Sequence, residues 1–203
     1  VVRAPFYNPN LIQQFVDTAD IDTDFAIEGK GFFAVRGADG QTYYTRNGAF
    51  TWAQTANGTT VLADSEGNPV LDANGNQIAV PDGIASEKMR FSEEGKIGYM
   101  DNNDNYVDLN QSFAIYQFNN PAGLEKASSS KLVATAASGR PILEGSVAGL
   151  TPSKIHTKTL EGSNVQVADE MVNMIVAQRA YELNSKAITT ADSMLDTANN
   201  LKR

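Results

Sequence analysis

Apolar positions along this chain follow two periods. Between residues 24 and 151 they come in short runs of aromatic and β-branched residues, as in DFAIEGKGFFAVRG and TYYTRNGAFTW. Such runs read as strands. Turn signals break them: ADG (38–40), ANG (56–58), EGN (66–68), DANGN (72–76), EEGK (93–96) and DNNDN (101–105). Asn, Asp and Gly tolerate the positive φ that tight hairpin turns demand. Between the turns lie TTVLAD, NPVLD, QIAVP, KMRFS, KIGYM, NYVDL, SFAIYQF and KLVATA. Turns recurring every 8–12 residues or so predict a β-hairpin-rich middle domain, an irregular sandwich or barrel. No strict repeat is present, which argues against a solenoid.

From about Val165 to Leu201 the period changes to seven. Val167, Met174, Tyr181, Ile188 and Leu195 share one stripe, flanked by Ala180, Ala187, Met194 and Leu201 on one side and by Ala177, Ala191 and Ala198 on the other. Neither Pro nor Gly interrupts it. The fold class is therefore mainly β with a long C-terminal α-helix, about 55 Å long at the usual rise per residue. A sustained seven-residue period marks a helix that packs along another helix. Glu170, Gln178, Arg179, Glu182, Lys186, Asp192 and Asn199 supply a polar face. Burying the five large stripe residues is worth on the order of 10 kcal/mol. A small β region shields a turn or two of such a helix, not its length. The expectation is a partner helix outside these 203 residues. Residues 1–23 read as an arm, short helix or extended, 24–151 as the β domain, 152–163 (PSKIHTKTLEGS) as a linker, and 164–203 as a polymerisation helix.

Charge and composition remove several functions. A net charge of −8 leaves no basic stripe for nucleic acid or for an anionic membrane surface. The absence of cysteine excludes disulfides, thiolate metal sites and Cys nucleophiles. No apolar run is long enough for a membrane span, and VVRAPFYNPN is not a signal peptide. The start without Met suggests a chain whose beginning is not included.

Candidate chemistry is thin. GKGFFA (29–34) has a Gly-rich look, but Phe32, Phe33 and Val35 continue as strand instead of opening a helix onto an anion, so a bulge or tight strand crossing is the reading. DANGNQ and DNNDNYVD lack EF-hand spacing. Turn chemistry accounts for Asp72, Asp101, Asn103 and Asp104 better than calcium does. His156 is the sole histidine and lies in a polar stretch; Glu93 and Glu94 fall in a turn. Nothing points to an enzyme, a cofactor or a metal.

SNVQVADEMVNMIVAQRAYELNSKAITTADSMLDTANNLKR (163–203) resembles the C-terminal segment of bacterial flagellar rod and hook proteins, and DFAIEGKGFFAVRGADGQTYYTRNGAFTW (24–52) the opening of their middle domain. Within the family the short middle region and VNMIVAQRAYELNSKAI are most similar to distal-rod subunits, with proximal-rod and short hook subunits as alternatives. The resemblance implies an N-terminal helix that pairs with the C-terminal one, and helical stacking into a hollow axial tube. The implied assembly interface is Val167, Met171, Met174, Ala177, Gln178, Arg179, Tyr181, Glu182, Asn184, Ile188, Ala191, Leu195 and Leu201. Gln178, Arg179, Glu182 and Asn184 would set register. The implied middle-domain core motif is Phe25, Ile27, Gly29, Gly31, Phe32, Phe33, Val35, Tyr44, Arg46, Gly48 and Phe50. Further copies and neighbouring rod, hook and bushing-ring proteins would be the partners. The site would be the basal body in the cell envelope, reached through the flagellar type III apparatus. A different class, a secreted glycan-binding β module with a helical oligomerisation tail, would need an aromatic platform such as Tyr43, Tyr44 and Trp52.

Overall fold

The computed structural model describes residues 15–17, 21–101, 103–128, 130–147, 149–162 and 167–200. The chain divides into two compact units, one through Gly162 and one from Ser163 onward. The first unit is built from short strands. In chain order they are β1 (Phe15–Asp17), β2 (Phe25–Glu28), β3 (Phe32–Arg36), β4 (Thr42–Thr45), β5 (Thr51–Gln54) and β6 (Thr60–Ala63). Then follow β7 (Met89–Phe91), β8 (Lys96–Met100), β9 (Tyr106–Ser112), β10 (Ile115–Gln117) and β11 (Glu125–Lys126). The last are β12 (Leu132–Val133), β13 (Ile142–Leu143), β14 (Lys154–Thr157) and β15 (Thr159–Glu161). The second unit is one helix, α1 (Val167–Asn200), of 34 residues.

The largest sheet has the order β11-β12-β4-β3-β10-β13, and every pairing in it is antiparallel. β7-β8-β9 form a three-stranded meander, and three two-stranded ribbons join β5 to β6, β14 to β2 and β1 to β15. Among the described residues no closed barrel forms. Strand β3 explains why FFAV lacks apolar–polar alternation. Its successive side chains point to opposite faces, and both faces are buried. Phe33 and Val35 pack with Phe25, Phe50, Leu62 and Phe113 on one side; Phe32 and Ala34 pack with Tyr44, Leu71 and Phe118 on the other. Edge-to-face ring contacts, Phe33 to Phe50 at 5.2 Å and Phe25 to Phe113 at 5.0 Å, fill the larger cluster.

One turn design recurs at the positions marked by the turn signals. In 64–68, 72–76, 92–96 and 101–105 the first residue's N–H donates to the carbonyl of the fifth, and the fourth residue's N–H donates back to the carbonyl of the first. The fourth position is left-handed: Gly67, Gly75 and Gly95 at φ 82, 81 and 79°, and Asp104 at 57°. This is the three-residue hairpin loop with a left-handed bulge residue. Asp64, Asp72 and Asp101 lock their own turns, each Oδ1 accepting two backbone N–H groups. Those two bonds hold the Asp101 carboxyl below its usual range. The sequence thus reads D-x-x-G-N or D-x-x-D-N because the turn closes on its own carboxylate.

The segment expected to be a linker, 152–163, differs. Lys154–Thr157 pairs with β2, and Thr159–Glu161 pairs with β1. Each strand carries one apolar side chain among polar neighbours, so its own pattern is weak; Ile155 is nonetheless buried. Of the ambiguous first 23 residues, 15–17 are strand; residues 1–14 and 18–20 lie outside the described residues, as do 163–166 and Leu201.

Candidate assembly surface

All described side chains of α1 are exposed. Along the seven-residue stripe, Met174 is 67% exposed, Tyr181 78%, Ile188 64% and Leu195 68%. Met171, Val172, Ile175, Val176, Leu183 and Met194 add to the open apolar surface. Val167 begins the helix, but its side chain is outside the described residues. Ala177, Gln178, Asn184 and Ala191 lie on exposed turns. Arg179 and Glu182 form an ion pair at 3.1 Å, three residues apart. Thr189, Ser193 and Thr197 donate to carbonyls three or four residues back. The helix therefore satisfies much of its own polar inventory while its apolar stripe stays open. No described helix is long and apolar enough to cross a membrane.

Four residues of the middle-domain core motif, Ile27, Gly29, Gly31 and Phe32, gather around Arg46, which directly follows β4. Its Nη1 donates to the Gly29 and Gly31 carbonyls at 2.8 and 2.7 Å, and its Nη2 to the Ile27 carbonyl at 3.0 Å. Its Nε donates to Glu161 Oε2 at 2.9 Å, and the guanidinium sits 5.8 Å from the Phe32 ring centre. Both glycines are forced. A Cβ on Gly29, at φ 140°, would strike Ser153, and one on Gly31 would strike Ile115 and come within 2.8 Å of Glu144 Oε1. The Ser153 hydroxyl in turn donates to Glu144 Oε1 at 2.7 Å and accepts from the Gly31 N–H at 3.2 Å. GKG is thus a close crossing whose carbonyls cradle the chain's own arginine. Gly48 lies against the Phe25 backbone, and Phe25, Ile27, Phe32, Phe33, Val35 and Phe50 are buried. The partners of Arg46 and Gly31 on β15 and the 144–153 segment escaped sequence reasoning, because nothing local links positions more than a hundred residues apart.

Other candidates resolve structurally. Tyr44 is buried, its phenol pushed up to about 12 by desolvation and then by Tyr116, so it cannot belong to an exposed sugar platform. Trp52 stacks on Phe91, and Tyr43 donates to Asp39 beneath Lys131. His156 faces Glu28 at 2.8 Å across the β14/β2 ribbon. Among the described residues no three metal-ligating side chains gather into a site. A shallow cleft lined by Asp22, Met89, Arg90, Phe91, Thr157 and Lys158 is bridged by the Asp22–Lys158 ion pair.

Asp24 is buried, and desolvation raises its carboxyl above the usual range. A raised folded-state pKa means that this group's stabilising share is complete below the unfolded pKa and is lost as pH rises through the folded one. Asp24→Asn should therefore melt higher than the parent at pH 7, with the gap closing as the solution is acidified below the carboxylate range. Thermal denaturation at several pH values checks this.

A family model described as the flagellar hook protein FlgE/F/G D1 domain matches residues 26–99, and one described as the flagellar basal body rod FlgEFG protein C-terminal region matches residues 156–201. The flagellar basal-body rod protein FlgG of Borreliella burgdorferi is 40% identical over 193 residues, covering 93% of this chain and 68% of that protein. FlgG of Bacillus subtilis is 36% identical over 180 residues, covering 89% and 65%. The flagellar hook-basal body complex protein FlhP of B. subtilis is 28% identical over 192 residues, covering 94% and 69%. The chain spans about two thirds of the length of these curated relatives. The first match takes in the glycine–arginine crossing, and the second takes in β14's end, β15 and the open helix. On these matches, the chain belongs to the flagellar FlgE/F/G rod and hook family, as a structural subunit of the basal-body rod.

Proposed function

We propose that the chain is a distal-rod subunit that polymerises helically into the hollow drive shaft of the flagellum. The observation that carries this reading is the open seven-residue stripe on α1, from Met174 to Leu195. Such a stripe gains its stabilisation only when another helix covers it. Its role is mechanical. The helices would line the axial tube, and the β unit would form the outer wall and pass torque sideways between neighbours. Ala177 and Ala191 allow close approach beside the stripe, while Gln178, Arg179, Glu182 and Asn184 fix register. Further copies of the chain are the first partners; adjoining rod, hook and bushing-ring proteins are the next. Delivery is as an unfolded chain through the flagellar type III apparatus into the cell envelope.

Three regions carry the proposed roles: an arm over 1–23, a β domain over 24–151 extended by β14 and β15, and the polymerisation helix. The experiment is to tag the full-length gene product at its chromosomal locus and isolate hook–basal bodies. The tagged chain should be retained in the rod section after the outer filament is dissociated. Deletion of the gene should leave cells with proximal structures and no hook. Recovery of the tag only in the soluble envelope fraction, with intact hooks in the deletion strain, would refute the reading.

A further inference from the structure

The chain enters and leaves the β unit side by side. β1 and β15 form an antiparallel ribbon in which Phe15 lies opposite Glu161 and Asp17 opposite Thr159. Such a two-stranded ribbon is marginal by itself. Its exit strand is reached through Lys158, a non-glycine residue at φ 56°. Beyond that pairing, one side chain ties β15 to several distant segments at once. Arg46 spans four places in the sequence: its own strand end on β4, the end of β2 through the Ile27 carbonyl, the glycine crossing through the Gly29 and Gly31 carbonyls, and β15 through Glu161.

The geometry uses what distinguishes arginine from lysine. Five N–H donors lie in one rigid plane. Here Nη1 reaches two carbonyls, Nη2 reaches a third carbonyl and the carboxylate, and Nε reaches the same carboxylate oxygen. The pair is partly shielded, with the two side chains 17% and 25% exposed. Charge-assisted bonds in that setting are stronger than those of an open surface pair. The carbonyls are turned toward the cation by the two glycines, which no side chain could replace without striking Ser153 or Ile115.

We propose that Arg46 is a positioning residue that clamps the β1/β15 ribbon to the β unit, so that load carried along the chain's entry and exit strands reaches that unit without the ribbon swinging. The load-carrying part rests on the rod reading; the clamp itself does not. A lysine has one compact charge and cannot satisfy three carbonyls and a carboxylate from one plane, so Arg46→Lys behaves as a loss. Glu161→Ala removes the exit-strand end of the clamp and leaves the carbonyl cradle filled.

The test uses the full-length protein in two settings. In the soluble monomer, amide hydrogen exchange is followed at 15–17 and 159–161, with Phe33 and Val35 as core references. Both variants should speed exchange in the ribbon by about ten-fold or more while the core references stay within about two-fold. A residue with only a general structural role would move ribbon and core together. In cells, both variants should build rods yet swim disproportionately slowly as medium viscosity rises. If Arg46→Lys fails to fold, Glu161→Ala decides alone. Ribbon exchange equal to the parent's, or faster exchange with unimpaired swimming in viscous medium, overturns the proposal. Absence of even the parent protein from isolated rods would instead sink the rod reading and leave the exchange result standing as a test of the clamp.

Discussion

Ile188→Asp together with Leu195→Asp is expected to abolish incorporation into the rod and leave cells non-motile, while the isolated subunit melts within about 1–2 °C of the parent. Both side chains are exposed in the subunit, at 64% and 68%, and substitutions at such sites usually change stability by no more than about 0.5 kcal/mol. In a helix–helix seam the same two positions would be desolvated. Each apolar side chain lost there forfeits roughly 1.5–3 kcal/mol, and each carboxylate introduced adds a desolvation penalty of several kcal/mol. That sum exceeds what most specific contacts between subunits can absorb. Thr197→Asp, on the opposite face, is the control. It introduces the same charge on the same helix and should leave assembly intact. The checks are differential scanning calorimetry of the subunit, electron microscopy of isolated basal bodies and swimming in soft agar.

Gly48→Ala should be the most damaging single methyl in the β unit, costing about 3 kcal/mol or more and lowering Tm by roughly 10 °C. The new Cβ would fall inside contact distance of the Phe25 carbonyl oxygen and 2.7 Å from the carbonyl carbon. These are backbone atoms, so no rotamer change relieves the clash. The Phe25 N–H also donates to the Gly48 carbonyl at 3.0 Å, which fixes the two segments at that distance. Phe25 belongs to the larger core cluster, against Phe50, Phe91 and Phe113, so displacing its backbone disturbs several rings at once. Gly40→Ala is the comparison. It meets open space and suffers only from its φ of 79°, a cost of about 1–2 kcal/mol. Denaturant titration of the three proteins should rank them parent, Gly40→Ala, Gly48→Ala.

Where the fold was legible in the sequence, the reason was local. Hairpin turns announce themselves because Gly67, Gly75 and Gly95 must be left-handed and because Asp64, Asp72 and Asp101 close their own loops. The stripe on α1 is legible because a helix converts sequence spacing directly into a face. β14 and β15 were hidden because each is polar and short, and each is strand only by virtue of a partner at the other end of the chain. Arg46 was marked by its place in TYYTRNGAF, yet its partner Glu161 was not, since a charge pair across that separation leaves no spacing to detect. The dipeptide FF in β3 was legible as strand but not as a doubly buried one, because that depends on clusters forming on both faces.

The chain contains no cysteine, which makes one label unique. With Ile188→Cys in the full-length protein, the rate of thiol alkylation can be compared between the soluble subunit and purified hook–basal bodies. Rapid labelling of the subunit is expected, with strong protection, by about a hundred-fold, in the basal body and the labelled position recovered in the rod. Labelling as rapid in the basal body as in the subunit would overturn the proposed seam, because the stripe would then remain open in the very structure it is held to build.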